Sequence, residues 1–280
     1  MGRESAARAE VAARRYYGTD DVDAFYAQVW GGEDIHTGVY ADPCEPVGVA
    51  SRRTVELAAS KVAGRLGPAC TVLDLGSGYG GPARYLAGRF RCKVVALNIS
   101  EPPNERHRRT NTEQGLDHLI EVVTASFQDI PYPPESFDVV WSQDAFCHSG
   151  DRPRLLTEAA RVLKPQGEMV FTDLMAADTA PAEALHAAVA RLEVDAFATP
   201  SFYRRTLTDL GMHQVGFDDH SDQLLTHYLR LTEETVQQAG ELGHLISAAY
   251  LEGLLQNLPL WVEACCKDLM RWGIFHCRRP

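Results

Sequence analysis

The sequence predicts an α/β fold in which helices cover both faces of a mostly parallel, seven-stranded sheet. Two observations support this prediction. An apolar segment at residues 71–75 runs directly into a glycine-rich turn at 76–81, and a helix-like segment follows the turn. Beyond it, strand-like and helix-like segments alternate, an order that produces parallel strands joined by crossover helices.

The N-terminal part of the chain is expected to be helical. Residues 1–15 are typical of a frayed, partly helical arm. The next helix is predicted over residues 20–30, because Thr19 provides a start signal and Gly31-Gly32 provides a stop. Residues 47–65 form the third predicted helix, which leads into the first strand.

The sheet and its covering helices are predicted from short apolar segments and the turns between them. Strands are expected at residues 71–75, 93–98, 120–124, 137–141, 167–173, 214–218 and 272–278. Helices are expected at residues 80–89, 102–115, 151–162, 180–192, 201–210 and 231–269. Pro165 and Gly167 form the turn before the fifth strand, and Pro259 is expected to break the last helix.

Composition limits the classes of function. The chain of 280 residues is 45% hydrophobic and 23% charged, which is typical of a soluble globular protein. Its net charge of −11 argues against binding to nucleic acid or to an anionic membrane surface. The seven cysteines have no metal-ligand spacing, and neither a signal segment nor a membrane-spanning apolar run is present. We therefore expect a cytoplasmic protein without a metal site and without a nucleic-acid or membrane partner.

The glycine-rich turn indicates a ligand that carries a nucleoside. Gly76, Gly78 and Gly81 match the G-x-G-x-x-G spacing of dinucleotide sites, where bare backbone near a helix N-terminus contacts the ligand. Asn98 ends the next strand about two dozen residues later, where a ribose-binding carboxylate is usual. An asparagine can accept there only through its amide oxygen. The pattern alone leaves open NAD, another nucleoside-bearing cofactor and an unrelated turn.

Two later segments narrow the choice. Residues 125–144 and 160–173 follow the glycine turn and the Asn98 strand in an order that resembles the class I S-adenosylmethionine-dependent methyltransferases. A narrower resemblance, to the sarcosine/dimethylglycine N-methyltransferases that make glycine betaine, covers most of the chain. The segments that carry it are Tyr16-Tyr17, Phe25-Tyr26, Val29-Trp30-Gly31-Gly32-Glu33-Asp34-Ile35-His36-Thr37-Gly38, Ala96-Leu97-Asn98-Ile99, Trp141-Ser142-Gln143-Asp144-Ala145-Phe146-Cys147-His148-Ser149 and Trp272-Gly273-Ile274-Phe275. The resemblance implies a Rossmann-like methyltransferase fold, S-adenosyl-L-methionine as methyl donor and a small amine as acceptor.

The resemblance also implies the cofactor contacts. The expected cofactor-binding residues are Asp74, Gly76, Ser77, Gly78, Asn98, Ile99, Ser126, Phe127 and Gln143. Asp74 would anchor the glycine turn, through the backbone or through water, and the turn approaches the methionine portion. Asn98 would meet the ribose. Ser126 stands where many methyltransferases carry an Asp toward the adenine amino group. Ile99 and Phe127 would contact the adenine ring, with an ordinary place in the core as the alternative.

Methyl transfer to an amine requires alignment, exclusion of water and loss of the amine proton, but no metal. Asp144 and His148 are the expected catalytic residues, since a helical segment after the fourth strand would place both on one side. His148 would accept the amine proton, and the alternative is an orienting or structural role.

The acceptor itself is expected to meet aromatic and cationic side chains. Tyr26 and Trp30 are candidates for an aromatic wall around the developing cation, with core packing as the alternative. Tyr203 and Arg204 are the candidates for the acceptor carboxylate, because arginine binds carboxylates in two-pronged fashion. The competing arginines are Arg52, Arg53 and Arg271.

The expected domain organisation places a helical lid before the catalytic domain. Residues 1–50 would form the lid beside the acceptor, and residues 51–280 the methyltransferase domain. Its core spans about 55–220, and the late helices and last strand at 221–280 shape the acceptor pocket. The number of subunits stays open, with a homodimer as one expectation.

Two other functions also stay open. One is an O- or C-methyltransferase for a larger natural-product or phenolic acceptor, which would need a roomy apolar pocket. The other is a non-catalytic cofactor-binding protein, against which the intact glycine turn and the pair Asp144 and His148 argue.

Overall fold

The computed structural model describes residues 2–181, 183–192, 194 and 196–280, and its sheet confirms the predicted fold class. The strands are β1 (Thr71–Leu75), β2 (Lys93–Asn98), β3 (Ile120–Thr124), β4 (Phe137–Gln143), β5 (Leu163–Ala176), β6 (His213–Asp219) and β7 (Met270–Arg278). They form one sheet in the order β3-β2-β1-β4-β5-β7-β6. The first five strands are parallel, whereas β7 lies antiparallel between β5 and β6. The central strands are buried on both faces, which explains their continuous apolar character.

Helices lie on both faces of this sheet and across its edge. The helices are α1 (Gly2–Tyr17), α2 (Asp20–Val29), α3 (Val47–Lys61), α4 (Gly81–Phe90), α5 (Glu101–Glu113), α6 (Arg152–Val162), α7 (His186–Val189), α8 (Pro200–Asp209), α9 (Ser221–Gln237), α10 (Ala239–Leu245) and α11 (Ala248–Cys266). The expected frayed arm is thus a helix of 16 residues. Met1 lies outside the described residues.

Two helix predictions are wrong in extent. Of the predicted helix 180–192, only the part from His186 is helical, because hydrogen bonds such as Ala184 N to Pro181 O close tight turns before it. Ala182 in that range lies outside the described residues. The helical stretches predicted over 231–269 are the three helices α9 to α11. The first begins at Ser221, earlier than predicted, and the interruptions lie after Gln237 and before Ser247.

Pro259 lies inside α11 and does not break it. Proline removes the hydrogen bond to the carbonyl four residues earlier, which here belongs to Leu255. Both residues are on the exposed side of the helix, so water can satisfy that carbonyl. The break occurs instead where Ser247 caps α11 by accepting a hydrogen bond from the Tyr250 amide.

The N-terminal helices share a hydrophobic core with the late helices. Tyr16, Phe25 and Trp30 belong to one buried cluster with Leu224 of α9 and Trp261 of α11. This cluster covers the edge of the sheet at which β1, β2 and β4 end. The arrangement gives the molecule a helical cap over that edge, while a domain boundary at residue 50 stays a prediction. None of the helices in the described part of the chain is both long enough and apolar enough to cross a membrane.

Candidate active site

A cavity opens between the helical cap and the carboxyl ends of the parallel strands. The space between its walls, counted with the open mouth, is about 750 Å³. Asn98 at the end of β2 and Gln143 at the end of β4 form one side, and Ala13 and Tyr17 of α1 form the other. Ligands of open α/β sheets bind at this edge.

The glycine turn forms the floor of the cavity, as predicted. Gly76 has φ of +78° and Gly78 has φ of +51°, conformations that side chains other than glycine rarely adopt. A Cβ on Gly76 would overlap the methyl group of Ala145, and one on Gly78 would lie 3.2 Å from Ile35 Cδ1. The turn therefore keeps the floor open and lets the segment with Ile35 close over it.

A chain of hydrogen bonds fixes the orientation of the Asn98 amide. The Glu101 carboxylate, which only accepts, receives the Thr124 hydroxyl, so the Thr124 oxygen accepts from Asn104 Nδ2 at 2.8 Å. Asn104 Oδ1 then accepts from Asn98 Nδ2 at 3.0 Å. Asn98 Oδ1 consequently remains as an acceptor, which is the chemistry that the sequence predicted for a ribose hydroxyl.

The far end of the cavity has one apolar and one polar side. Ile99 and Phe127 are half-buried and form its walls, and Phe127 also packs against the hydrophobic core. The neighbouring Ser126 hydroxyl donates to Glu10 of α1 at 2.5 Å, and Gln128 Nε2 donates to the same oxygen at 3.2 Å. The N-terminal helix thus supplies a carboxylate beside the position at which the sequence lacks one.

A smaller cavity, about 280 Å³ with its open mouth, shares the glycine turn, Ile35 and Gln143 with the main one as lining. Four side chains that line it bury a polar atom without a hydrogen-bond partner among the described residues. These atoms are His36 Nε2, Asp74 Oδ2, Ser77 Oγ and Gln143 Nε2. Buried polar atoms are costly when unpaired, so their convergence indicates a polar ligand group that pairs with them.

The surroundings of Asp74 shift the pKa of its carboxyl group. Its side chain is buried, and burial raises the pKa of the carboxyl to about 7. None of the described residues donates a hydrogen bond to it. Asp74 therefore does not anchor the glycine turn through the backbone, and an anchor through water stays a prediction. Instead, Gly76 N and Ser77 N hold the turn by donating to Leu97 O at 2.8 and 3.2 Å.

Asp144 lies on the cavity wall but not in the helical segment that the sequence predicted. Its carboxylate accepts hydrogen bonds from Thr37 N at 2.7 Å, from the Thr172 hydroxyl at 2.7 Å and from Trp272 Nε1 at 2.8 Å. Its φ of +49° places it in a strained turn rather than in a helix. Asp144 thus ties the N-terminal segment to β5 and β7, and a catalytic role beside His148 on the same cavity wall stays a prediction.

His148 follows in a 3-10 turn and faces the cavity with a different partner. Its Nε2 lies 3.0 Å from the hydroxyl oxygen of Tyr17, whose ring meets the imidazole edge to face. Asp173 holds the turn by accepting from Cys147 N at 2.8 Å and from the Tyr203 hydroxyl at 2.7 Å. Burial raises the pKa of Asp173 to about 7.

The two residues of the predicted aromatic wall lie in the hydrophobic core and do not line the cavity. Tyr26 and Trp30 are buried in the hydrophobic cluster, and Trp30 Nε1 donates to His36 O at 3.0 Å. The tyrosine rings that line the cavity, together with Phe127 and His148, are those of Tyr17 and Tyr79, and Tyr17 stacks on Tyr26. The two rings lie side by side on α2, with centroids 5.1 Å apart, and the helix face that carries them meets the core.

The predicted carboxylate site is also corrected. Tyr203 is fully buried against Asp173, and Arg204 is exposed and stacks on the Phe217 ring at 5.7 Å, away from the cavity. The competing arginines have acidic partners, which are Asp34 for Arg52, Glu45 for Arg53 and Asp268 for Arg271.

Sequence reasoning missed four residues of the site, which are Glu10, Tyr17, His36 and Tyr79. Glu10 and Tyr17 lie far from the glycine turn in the sequence. Only the packing of α1 against the cavity shows that they belong to the site. Tyr79 stands inside the turn itself, and its position there was an available signal. Within the described residues, no group of three His, Cys, Asp or Glu side chains is placed to hold a metal ion.

Comparisons with known proteins agree with this fold. Residues 73–171 match the model of a methyltransferase domain. Sarcosine/dimethylglycine N-methyltransferase of Halorhodospira halochloris is 51% identical over 95% of both chains. The enzyme of the same name from Aphanothece halophytica is 42% identical over 96% of both chains.

A solved structure extends the comparison to three dimensions. The crystal structure of a Galdieria sulphuraria protein, assigned as a sarcosine dimethylglycine methyltransferase, superposes with a TM-score of 0.88 at 35% identity. The match covers 93% of this chain and 97% of that one. The chain belongs to the sarcosine/dimethylglycine N-methyltransferase family.

Proposed function

We propose that this chain is an S-adenosylmethionine-dependent N-methyltransferase that converts sarcosine and dimethylglycine into glycine betaine. The observation that carries the proposal is the 51% identity with a relative of that name over 95% of both chains. Similarity of that extent is not confined to the methyltransferase domain at residues 73–171. The similarity also covers the segments before and after that domain, and these segments form the cap over the cavity.

The two connected cavities support the donor assignment. Asn98 Oδ1 offers an acceptor for the ribose hydroxyls, and Ile99 and Phe127 offer apolar faces for the adenine. The smaller cavity suits the amino-acid end, because Asp74 can accept from an ammonium group while Ser77 can donate to a carboxylate. The residues present therefore fit S-adenosylmethionine.

Bound S-adenosylmethionine supplies a methyl group on a positively charged sulfur, which a neutral amine can take in a direct displacement. The chain has to align the amine and keep out water. Ala13 and Tyr17 of α1 roof the cavity, and Ile35 packs against Gly78. These residues exclude water from the place where the turn and the end of β4 meet.

The acceptor must also lose a proton, because sarcosine and dimethylglycine are mostly protonated near neutral pH. The Tyr17 hydroxyl and His148 Nε2, 3.0 Å apart on the cavity wall, form a route for it. The proton passes from the ammonium nitrogen to the Tyr17 oxygen as the hydroxyl proton moves to His148 Nε2. Asp173 and Tyr203 hold the turn that positions His148.

An arginine for the acceptor carboxylate lies on the far side of His148. A neighbouring cavity of about 800 Å³ shares His148 with the main one and is lined by Arg8 and Arg152. Arg152 Nε is buried and has no hydrogen-bond partner among the described residues. A carboxylate directed to this side would pair with it while the amine faces Tyr17.

The test is a methylation assay with methyl-labelled donor and a panel of acceptors. We expect labelled glycine betaine from dimethylglycine and labelled dimethylglycine from sarcosine. A phenol and a natural-product acceptor serve as comparison substrates for the alternative class. Turnover of these alone, without methylation of either amine, would contradict the proposed acceptors and leave the fold unaffected.

A further inference from the structure

We propose that Glu10 of α1 recognises the exocyclic amino group of adenine in the bound donor. Its carboxylate reaches across the cavity to the core, where Oε1 accepts from Ser126 Oγ at 2.5 Å and from Gln128 Nε2 at 3.2 Å. Both partners flank Phe127, which forms the apolar wall at this end. The carboxylate therefore lies at the rim of the place that a flat base would occupy.

The hydrogen-bonding capacity of Glu10 is only partly used. Both described donors point at Oε1, and none of the described residues donates to Oε2. An ionised carboxylate offers about four acceptor positions and no donor, so it pairs with N–H groups and repels a carbonyl. Adenine presents an amino group at its sixth position, whereas hypoxanthine presents an oxygen there. The site is thus built to accept the first and reject the second.

Glu10 is the carboxylate on the cavity wall with an oxygen to which no described residue donates. Asp144, the other acidic side chain on that wall among the described residues, already accepts three hydrogen bonds and lies toward β5 and β7. Ser126 cannot replace a carboxylate, because its single hydroxyl proton is already donated to Glu10. Its oxygen already accepts from Gln128 N at 3.1 Å and has one lone pair left, so Glu10 is the main acceptor of the pair.

The same helix face carries the residue that we place at the reacting end. Glu10, Ala13 and Tyr17 follow one another at spacings of three and four, and all three line the cavity. Contact between the base and Glu10 therefore holds α1 in the position in which Tyr17 meets His148. Recognition of the base at one end stabilises the roof over the acceptor at the other end.

The inference rests on the proposed function only for the identity of the donor. It is tested by isothermal titration of the full chain with S-adenosylhomocysteine and with S-inosylhomocysteine, in which oxygen replaces the amino group. Wild type should bind the adenosyl ligand at least about tenfold more tightly, since a hydrogen bond to a charged group has this effect. Glu10→Ala should lower that preference to less than about threefold.

Two further variants separate recognition from folding. Glu10→Gln preserves the shape of the side chain but offers both an acceptor and a donor, so its preference should fall as well. Arg14→Ala removes an exposed side chain from the same helix and should keep the wild-type preference.

Equal weakening of both ligands in Glu10→Ala, or a wild type without preference, would overturn the proposal. A wild type that binds neither ligand would contradict the donor and this inference together. Retained preference in a protein that methylates neither sarcosine nor dimethylglycine would contradict the proposed acceptors and support the role of Glu10.

Discussion

Replacing Asp74 by asparagine should stabilise the ligand-free protein and weaken donor binding. The carboxyl is buried without a hydrogen-bond donor among the described residues, and burial raises its pKa from 3.8 to about 7. At 1.36 kcal/mol per pKa unit, ionised Asp74 lowers the free energy of unfolding at pH 8 by about 4 kcal/mol. Asparagine has nearly the same shape and no charge, so it removes this destabilisation.

The sign of the pH dependence follows from the raised pKa. Between pH 4 and pH 7 the folded state holds a proton on Asp74 that the unfolded state has released, so wild-type stability falls as pH rises. Below pH 4 both states are protonated. Urea unfolding of Asp74→Asn and wild type should therefore differ most at pH 8 and hardly at all at pH 4.

Donor binding should change in the opposite direction. An ammonium group next to ionised Asp74 gains a charge-assisted hydrogen bond, which asparagine cannot match, so affinity for S-adenosylhomocysteine should fall at least about tenfold. Asp144→Asn is the matched control, because its carboxylate already accepts three hydrogen bonds and the change should destabilise by about 2 kcal/mol. A destabilised Asp74→Asn at pH 8, or a difference from wild type that does not vary with pH, would refute the reasoning.

Three other substitutions test separate parts of the site. Gly76→Ala should weaken S-adenosylhomocysteine binding at least about tenfold in a titration, since the new methyl group overlaps Ala145; unchanged binding would show that the turn can relax. Tyr17→Phe should lower kcat about ten- to hundredfold with donor affinity within about twofold, and an unchanged kcat would remove Tyr17 from the proton route. Arg204→Ala should leave the KM for dimethylglycine within about twofold in the steady state, because Arg204 is exposed away from the cavity.

The parts of the fold that local pattern determines were predictable from the sequence. The central strands are buried on both faces, so they appear as short apolar runs bounded by turns. The turn at Gly76 and Gly78 was predictable because positive φ requires glycine there. Asn98 was predictable as an acceptor, since it ends a strand at the edge where ligands bind.

The parts that depend on packing across the chain were not predictable in this way. Spacing showed that Tyr26 and Trp30 share a helix face, but spacing does not reveal whether that face meets a cavity or the core. The prediction that Arg204 binds the acceptor carboxylate was wrong for a similar reason. The direction of a side chain on α8 depends on how that helix packs against the sheet. Glu10 could not be identified at all, since its partners Ser126 and Gln128 lie more than a hundred residues away.

The most direct test of the account is a crystal structure with S-adenosylhomocysteine and dimethylglycine bound together. The account predicts ribose hydroxyls at Asn98 Oδ1, the amino-acid end among Asp74, Ser77 and Gln143, and the acceptor nitrogen within hydrogen-bond reach of the Tyr17 hydroxyl. A donor product bound outside this cleft, or an acceptor nitrogen remote from Tyr17 and His148, would contradict it.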